Sequence, residues 1–383
     1  MIENLLAGGL LAFCITFYAI PKVIKTAIQT KLFDVPNDRK VHKEPIPSLG
    51  GVAIFAGFIS GLLFFGQIQT YTSFQFYLLV FVTVFFFGIK DDVMVLSPHK
   101  KFFGQVLVAS ILVFKANLVL TNMHGFLGIH SLNAPISYIL SMFTIIVIMN
   151  AYNLIDGIDG LASTISIITS SVFAIFFLMN GEEAYAIMGF TFSASLCAFL
   201  IFNYAPAKIF MGDTGSMLCG VVNAILVIHF IETATTSKVF SVTASPAIGF
   251  GILIMPLLDT LRVFAIRILH GRSPFFPDRN HLHHILLDRG LGHKAITWVM
   301  GSSAIVFIVL TYFALPLGVT SVILCQIGLF FLGVFFLQMT SRESRKNIKS
   351  VNNEEYTFGR KVKHVVTLIT NKDKATVERN EKD

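Results

Sequence analysis

The stretch NAYNLIDGIDGLASTISIITSSVFAIFFLM, residues 150–179, joins a polar segment directly to a long apolar one. Its apolar part, residues 160–179, contains no charged side chain. About 20 such residues in a helix cross the ~30 Å hydrocarbon core of a bilayer. Its polar part repeats an amide or a carboxylate at every third position, at Asn150, Asn153, Asp156 and Asp159. The stretch therefore predicts a membrane helix with a cluster of oxygen-bearing side chains at one end.

A second stretch of the same kind is FNYAPAKIFMGDTGS, residues 202–216. It places Asp213 between Gly212 and Thr214, where another apolar segment begins. The ends of membrane helices usually carry Lys, Arg, Trp or Tyr anchors. Acids beside glycines, which free the backbone, indicate instead a reaction site for a cation and phosphates at a membrane face.

The composition extends this interpretation to the whole chain. The 383 residues are 54% hydrophobic and 13% charged, with a mean hydropathy of +0.73, which is far too apolar for a soluble globule. We predict an all-α polytopic membrane protein with about 11 transmembrane helices. The predicted segments lie near residues 4–24, 49–66, 74–90, 102–120, 134–152, 160–179, 185–204, 215–233, 244–268, 295–315 and 319–339.

The lysines and arginines predict the orientation of these segments. Basic short loops stay in the cytoplasm, and alternate loops of this chain carry nearly all the basic residues, whereas the opposite loops carry only Lys238. The N-terminus is predicted outside and the C-terminus in the cytoplasm. Residues 1–340 would form a membrane-embedded domain, and residues 341–383 a basic polar cytoplasmic tail. Charge at a membrane surface explains the isoelectric point of 9.2 better than nucleic-acid binding does.

Five polar clusters fall on the predicted cytoplasmic side. One cluster is the acidic pair Asp91 and Asp92, which would end a helix. The helix dipole disfavours negative charge at that end, so the pair is not explained by helix stability and indicates a function. Amide and carboxylate oxygens suit magnesium, and clustered basic donors suit phosphate. The clusters are residues 34–51 with Lys43, the pair Asp91 and Asp92, residues 150–159, residues 203–216, and residues 274–284 with Arg279, His281, His283 and His284.

Simpler interpretations of these clusters remain open. They are an ordinary basic inner loop, a solvated acidic helix end, helix capping for the third and fourth clusters, and an inert surface loop for the fifth. A zinc site at the histidines is disfavoured, because no Cys or Glu lies at the spacing of familiar zinc motifs. Asp259 and Arg262 are predicted to pair, since one buried charge costs roughly 2.5 to 3.5 kcal/mol in a membrane helix.

Five motifs in order carry a family resemblance: DRKVHKEPIPSLGG, GIKDDVMVLSP, NAYNLIDGIDG, FNYAPAKIFMGDTGS and DRNHLHH. Together they resemble the polyprenyl-phosphate N-acetylhexosamine-1-phosphate transferase family, which includes the enzymes that start O-antigen, enterobacterial common antigen and wall teichoic acid. The resemblance implies a bacterial plasma-membrane enzyme that transfers a sugar 1-phosphate, expected to be GlcNAc-1-phosphate, from a UDP-sugar to undecaprenyl phosphate at the cytoplasmic face. UMP would leave, and Mg²⁺, with Mn²⁺ as a substitute, would be the cofactor.

The same resemblance implies roles for individual residues. Asp213 and Asn153 would hold the metal, and the acidic pair would position or deprotonate the lipid phosphate. Val95 departs from a DDxxD pattern common in the family, and HLHH replaces the three consecutive histidines of the muramoyl-pentapeptide enzymes. The catalytic set would be Asp91, Asp92, Asp156 and Asp159, and the substrate-binding set Lys43, Asn150, Asn203, Phe210 against uracil, Arg279, His281, His283 and His284.

Two other functions stay open at this level. An intramembrane prenyltransferase also binds a diphosphate through magnesium and Asp-rich motifs, but FMGDTGS and HLHH have no place in it. A nucleotide-sugar or anion transporter would place its polar residues near the midplane rather than at one face. The expected partners are the UDP-sugar, the polyprenyl phosphate and membrane lipids, with no nucleic acid. The sequence leaves the oligomeric state open, with a homodimer as one alternative.

Overall fold

The computed structural model describes residues 1–30, 46–66, 72–237, 242–273 and 280–339. This part of the chain is mainly helical. Its helices are α1 (Ile2–Gln29), α2 (Gly50–Phe65), α3 (Ser73–Met94), α4 (Pro98–Phe114), α5 (Ala134–Ile155), α6 (Leu161–Met179), α7 (Glu183–Asn203), α8 (Gly212–Thr233), α9 (Ser245–Ile252), α10 (Ile254–Leu269), α11 (Leu282–Leu287), α12 (His293–Ala314) and α13 (Val319–Met339).

Eight of the described helices are long and apolar enough to cross a membrane, namely α1, α3, α5, α6, α7, α8, α12 and α13. The prediction of a polytopic helical membrane protein is thereby confirmed. Helix α2 is apolar but shorter, with 16 residues. The number of 11 spans and the orientation of the termini stay predictions.

The structure corrects the sequence-based prediction in two places. The fold is not purely helical, because an antiparallel hairpin joins β1 (Asn122–Phe126) to β2 (Ile129–Ser131). It follows α4, which ends at Phe114 rather than continuing to residue 120, and Asn117 then takes a φ of 53° that no helix accommodates. The predicted segment 244–268 is broken at Leu253, since Pro256 has no N–H to donate to the carbonyl of Ile252, where α9 ends.

Helix α8 lies at the centre of the bundle. Its most apolar window is 94% buried, compared with 22% for that of α1, and it packs against α2, α3, α5 and α6. The first residues of α8 include Asp213, so the central helix carries a predicted site residue at its N-terminus.

Two glycines bring neighbouring helices into backbone contact with the first turn of α8. A Cβ atom at Gly51, in α2, would lie 2.3 Å from the backbone nitrogen of Gly215. A Cβ atom at Gly88, in α3, would lie 2.3 Å from the Cα atom of Thr214. Any side chain at either position would therefore displace α8, and Gly88 sets the end of α3, with its acidic pair, against the start of α8.

The chain divides into two compact units, Met1–Leu329 and Phe330–Asp383. The first unit holds every site residue discussed below. In the second unit the structure describes residues 330–339, the last residues of α13. The predicted tail, residues 341–383, lies outside the described residues.

Candidate active site

Asp92 is bonded to the N-terminus of α8. Its carboxylate accepts hydrogen bonds from the backbone N–H groups of Asp213 at 2.6 Å and Thr214 at 3.1 Å, and from Thr214 Oγ1 at 2.6 Å. The first N–H groups of a helix have no partner within the helix, and a negative charge there is favoured by the dipole. The Asp92 carboxylate thus lies at the favourable N-terminal end of α8, although Asp92 belongs to the C-terminal end of α3. Capping of α8 therefore explains why one of the two acids is present.

Lys101, from the first turn of α4, connects the other acid to Asp213. Its ammonium Nζ lies 2.6 Å from Asp91 Oδ2 and 3.3 Å from Asp213 Oδ2. Asp91 Oδ1 accepts a further bond from the backbone N–H of Leu96 at 2.7 Å. Lys101 was not among the predicted site residues, because the sequence shows it only as one of several basic residues in a loop.

Asn153, near the end of α5, is the second partner of the Asp213 carboxylate. Its Nδ2 donates to Asp213 Oδ1 at 2.6 Å and to Ser216 Oγ at 3.0 Å. Asp156 follows where α5 ends, and it accepts no hydrogen bond from the residues that the structure describes. Burial, and then the nearby carboxylates of Asp213, Asp92 and Asp159, raise the pKa of Asp156 well above its usual range. Negative charge is therefore concentrated here beyond what the neighbouring side chains compensate.

Asp159 and Asn203 hold the two polar loops in place. Asp159 is 4% exposed, and its carboxylate accepts from the backbone N–H of Ala207 at 3.1 Å and lies 3.2 Å from His293 Nδ1. Asn203 accepts from the N–H of Gly160 and donates to the carbonyl of Ile209, both at 2.9 Å. Both residues thus tie the loop after α5 to the loop after α7. No sequence pattern indicated His293, which lies outside the five motifs.

Asn150 points toward α4. Its Nδ2 donates to Gln105 Oε1 at 2.9 Å, and Gln105 Nε2 donates back to Asn150 Oδ1 at 3.3 Å. This reciprocal amide pair satisfies both side chains. Asn150 therefore fixes the contact between α5 and α4, the helix that carries Lys101, while Asn153 one turn later reaches Asp213.

The histidine segment is anchored by the predicted Asp259–Arg262 pair, which is confirmed. Asp259 Oδ1 accepts from Arg262 Nη2 at 2.8 Å and from the N–H of Leu282 at 2.9 Å. Asp259 Oδ2 lies 3.0 Å from His281 Nδ1. The three contacts hold His281 at the start of α11 and direct its Nδ1 toward the carboxylate.

His283 lies against the loop that follows α5. It is 1% exposed, and a Cβ atom at Gly157 would lie 2.8 Å from His283 Nε2. Burial, and then the neighbouring His284, lower the pKa of His283 to about 3, so this imidazole is neutral at physiological pH. His283 can donate a hydrogen bond, but it brings no positive charge to a phosphate.

The remaining predicted residues are placed only in part. Phe210 is half-buried and joins two loops through its backbone, donating to the carbonyl of Pro47 at 2.7 Å and accepting from the N–H of Gly50 at 3.0 Å. Lys43 and Arg279 lie outside the described residues. The five motifs therefore meet at one end of the bundle as far as the structure describes them.

The donor atoms of this cluster fit a hard divalent cation. Within the described ranges, no three His, Cys, Asp or Glu side chains are grouped so that they could enclose a metal ion by themselves. Mg²⁺ does not need such a cage, because it commonly binds one or two carboxylates and takes its other ligands from water and substrate phosphates. Asp213, Asp156 and the amide oxygen of Asn153 provide this donor set, and a cation would compensate the charge that raises the pKa of Asp156.

Fold and site together define a multi-pass membrane protein in which acids, amides, a lysine and histidines from several helices meet at one end of the bundle. The family model described as glycosyl transferase family 4 matches residues 74–231. A Bacillus subtilis (strain 168) protein named probable undecaprenyl-phosphate N-acetylglucosaminyl 1-phosphate transferase is 34% identical over 298 residues, 77% of this chain and 81% of the relative.

Two further relatives agree. The undecaprenyl-phosphate alpha-N-acetylglucosaminyl 1-phosphate transferase of Yersinia pestis is 31% identical over 70% of this chain and 72% of its own length. The decaprenyl-phosphate N-acetylglucosaminephosphotransferase of Mycobacterium tuberculosis (strain ATCC 25618 / H37Rv) is 30% identical over 78% and 80%. The chain belongs to the polyprenyl-phosphate N-acetylhexosamine-1-phosphate transferase family. Neither the prenyltransferase nor the transporter alternative is supported by these relatives.

Proposed function

We propose that this protein transfers N-acetylglucosamine 1-phosphate from a UDP-sugar to undecaprenyl phosphate and releases UMP, the first step of a cell-envelope polysaccharide. The reaction would take place at the cytoplasmic face of a bacterial plasma membrane, since the sequence segments that carry the site motifs are also the basic ones, which stay in the cytoplasm. The names of the relatives support the sugar and the lipid. The observation that carries the proposal is that Asp213 lies between Lys101, Asn153 and the Asp92-capped helix end.

The chemistry explains why such a cluster is needed. Phosphoryl transfer between two oxyanions demands alignment and charge compensation rather than covalent participation by the protein. In a direct displacement, an oxygen of the lipid phosphate forms a bond to the β-phosphorus of the UDP-sugar, and the bond from that phosphorus to the oxygen bridging the two phosphates breaks. The bridging oxygen leaves with UMP. Lys101 would hold incoming phosphate oxygens, while Asp91 keeps its ammonium in place.

Asp213 and Asn153 would hold Mg²⁺, or Mn²⁺ in its place, with Asp156 near enough to add a carboxylate. The ion would supply positive charge against the diphosphate. The histidine segment would close the other side of the diphosphate and sugar, with His281 oriented by Asp259 and His283 available as a neutral donor.

Three of the predicted site residues would act by positioning. Asp92 fixes the start of α8, and Asp159 and Asn203 fix the loops on either side of it. Phe210 would face the uracil ring, and Lys43 and Arg279 would reach the nucleotide and diphosphate from their loops.

The test uses the full chain purified in detergent with Mg²⁺, undecaprenyl phosphate and UDP-GlcNAc, and measures UMP. We expect lipid-dependent UMP from the wild type and a fall of about 10²- to 10³-fold in Asp213→Asn, which keeps the side-chain shape but removes the charge.

The matched control is Glu232→Gln, at the other end of the same helix, which should retain full activity. UMP formed without the lipid, or inorganic diphosphate as the product, would contradict the proposal. Equal activity of Asp213→Asn and Glu232→Gln would remove Asp213 from it.

A further inference from the structure

A small cavity lies on the outer side of the α3–α4 hairpin, beside the acidic pair but outside the site. Its volume is about 270 Å³. The hairpin turns sharply at Val95, between the end of α3 and the start of α4. The lining residues are Phe87, Lys90, Leu96, His99, Lys100 and Phe103. Three of these residues are basic and three are apolar, so the cavity differs in character from the acidic site.

The basic side chains of the cavity are exposed and uncompensated. Lys90, His99 and Lys100 are exposed, and their side chains make no ion pair with any residue that the structure describes. The adjacent residues Asp91 and Lys101 differ from Lys90 and Lys100 in both respects, because Asp91 is only 3% exposed and forms an ion pair with Lys101. Successive residues of a helix point about 100° apart. The end of α3 and the start of α4 therefore direct Asp91 and Lys101 toward each other and leave Lys90 and Lys100 on the exposed side.

The position of the cavity along α3 corresponds to the headgroup level of a bilayer. Helix α3 has 22 residues, which at 1.5 Å each gives about 33 Å, slightly more than the ~30 Å hydrocarbon core. Lys90 lies in the last turns of this helix, and Lys100 lies in the first turn of α4. Long lysine stems can extend toward the interface, so both ammonium groups can reach the level of phospholipid phosphates.

The apolar half of the cavity continues onto a surface that faces lipid. Phe103 is 66% exposed, and Phe86 and Met94 beside the cavity are 65% and 69% exposed. A ligand with a negative headgroup and a hydrocarbon chain would place its charge on the basic residues and its first chain carbons against Phe87 and Phe103.

We propose that this cavity binds an anionic phospholipid of the surrounding bilayer. Basic pockets between membrane helices are suited to such headgroups, and each lysine near the surface adds favourable attraction. The occupant is a bilayer phospholipid rather than a reacting lipid, because Lys101, and not Lys90 or Lys100, forms the ion pairs with Asp91 and Asp213, and none of the site residues lines the cavity. The bound lipid would brace the hairpin that carries the acidic pair.

The test counts phosphatidylglycerol molecules bound to the full-length protein by native mass spectrometry, over a titration in a zwitterionic detergent. We expect one phosphatidylglycerol site that is tighter than the rest. The double variant Lys90→Gln/Lys100→Gln should weaken that site about 10-fold or more. The variant Lys90→Arg/Lys100→Arg should retain it.

The control is Lys22→Gln/Lys25→Gln, which removes two exposed lysines from α1 that do not line this cavity. Its tight site should change less than threefold. Equal weakening in both glutamine variants would show general surface attraction and overturn the proposal, as would an unchanged tight site in Lys90→Gln/Lys100→Gln. A parallel titration with undecaprenyl phosphate decides the source, since preferential loss of that lipid in the cavity variant would also overturn it.

Discussion

The two ends of the helix bundle hold similar residue types, but the carboxylates are paired with donors at one end and crowded together at the other. At the end away from the site, Glu182 is paired with His229, whose ring stacks on Tyr185, and both oxygens of Glu232 accept bonds from Thr121. At the site end, the carboxylates of Asp156 and Asp213 lie close together, and Asp156 has no donor among the described residues. His229 is 16 residues after Asp213 on α8, about 24 Å along the helix.

Space does not explain the difference between the two ends. The far end contains a cavity of about 610 Å³, lined by Tyr77, Tyr185, His229 and Glu232 among others. Several of its polar groups pair with one another, including Tyr77 and Tyr185, whose hydroxyls lie 3.2 Å apart. The site end instead keeps negative charge in surplus. In this molecule, surplus negative charge rather than polarity or cavity volume distinguishes the end where the predicted site residues meet.

Asp92 is the exception at the site end, because its carboxylate is as well bonded as the acids of the far end. Asp92→Ala would leave the first N–H groups of α8 unpaired and is expected to lower the free energy of unfolding by about 2 to 3 kcal/mol. Thermal unfolding in detergent measures this. A melting temperature equal to that of the wild type would contradict the capping role.

The ammonium group of Lys101 compensates part of the surplus negative charge at the site end. Lys101→Met should lower the lipid-dependent rate of UMP release about 10²-fold, since an oriented charge at the diphosphate is lost. Lys115→Met, at the other end of the same helix, is the control and should leave the rate unchanged. If both variants lost activity equally, the effect would not belong to the site.

Asp156 sharpens the comparison through pH. Because the folded-state pKa of Asp156 is raised, its contribution to stability is fully present at a pH below the usual range of a carboxyl group and is lost as the pH rises toward and through the raised value. Asp156→Asn removes this loss and should raise the free energy of unfolding by about 1 kcal/mol at pH 8, with little change at pH 4, while activity falls.

The measurement for Asp156→Asn is the melting temperature at several pH values, with and without Mg²⁺. Added Mg²⁺ should raise the wild-type melting temperature at pH 8 more than that of the variant. If the melting temperatures of wild type and variant changed with pH in the same way, the neighbouring carboxylates would not destabilise the ionised form of Asp156.

Glu232 gives the smallest expected effect. Glu232→Gln exchanges charged for neutral hydrogen bonds to Thr121 and should cost about 0.5 to 1 kcal/mol of stability, with UMP release unchanged. Denaturant unfolding and the UMP assay on the same preparation check both parts. Loss of activity without loss of stability would mean that the two ends are coupled.

The sequence indicated candidate site residues but not which of them contact one another. Asp213, Asn153 and Asp92 could be found because acids and amides at the ends of apolar segments are costly without a function. Which of them meet could not be found, since Asp92 and Asp213 are 121 positions apart and their hydrogen bond depends on how α3 packs against α8. Lys101 and His293 look like ordinary basic residues until that packing places them beside acids.

The fold was predicted in the same uneven way. The apolar segments could be identified from hydropathy because the bilayer fixes their length. The hairpin after α4 and the break at Leu253 could not, because each depends on a local backbone event, at Asn117 and at Pro256, inside a run that hydropathy averages over.

The contacts of Gly51 and Gly88 with the first turn of α8 decide which part of the protein can adjust to its ligands. Both contacts are backbone against backbone, so no side-chain rotation can open or tighten them. The first turn of α8, which carries Asp213, is therefore preorganised, and any adjustment to a ligand has to come from other parts of the site. Ligands that differ in their sugar would all meet the same geometry at Asp213 and would have to be accommodated elsewhere.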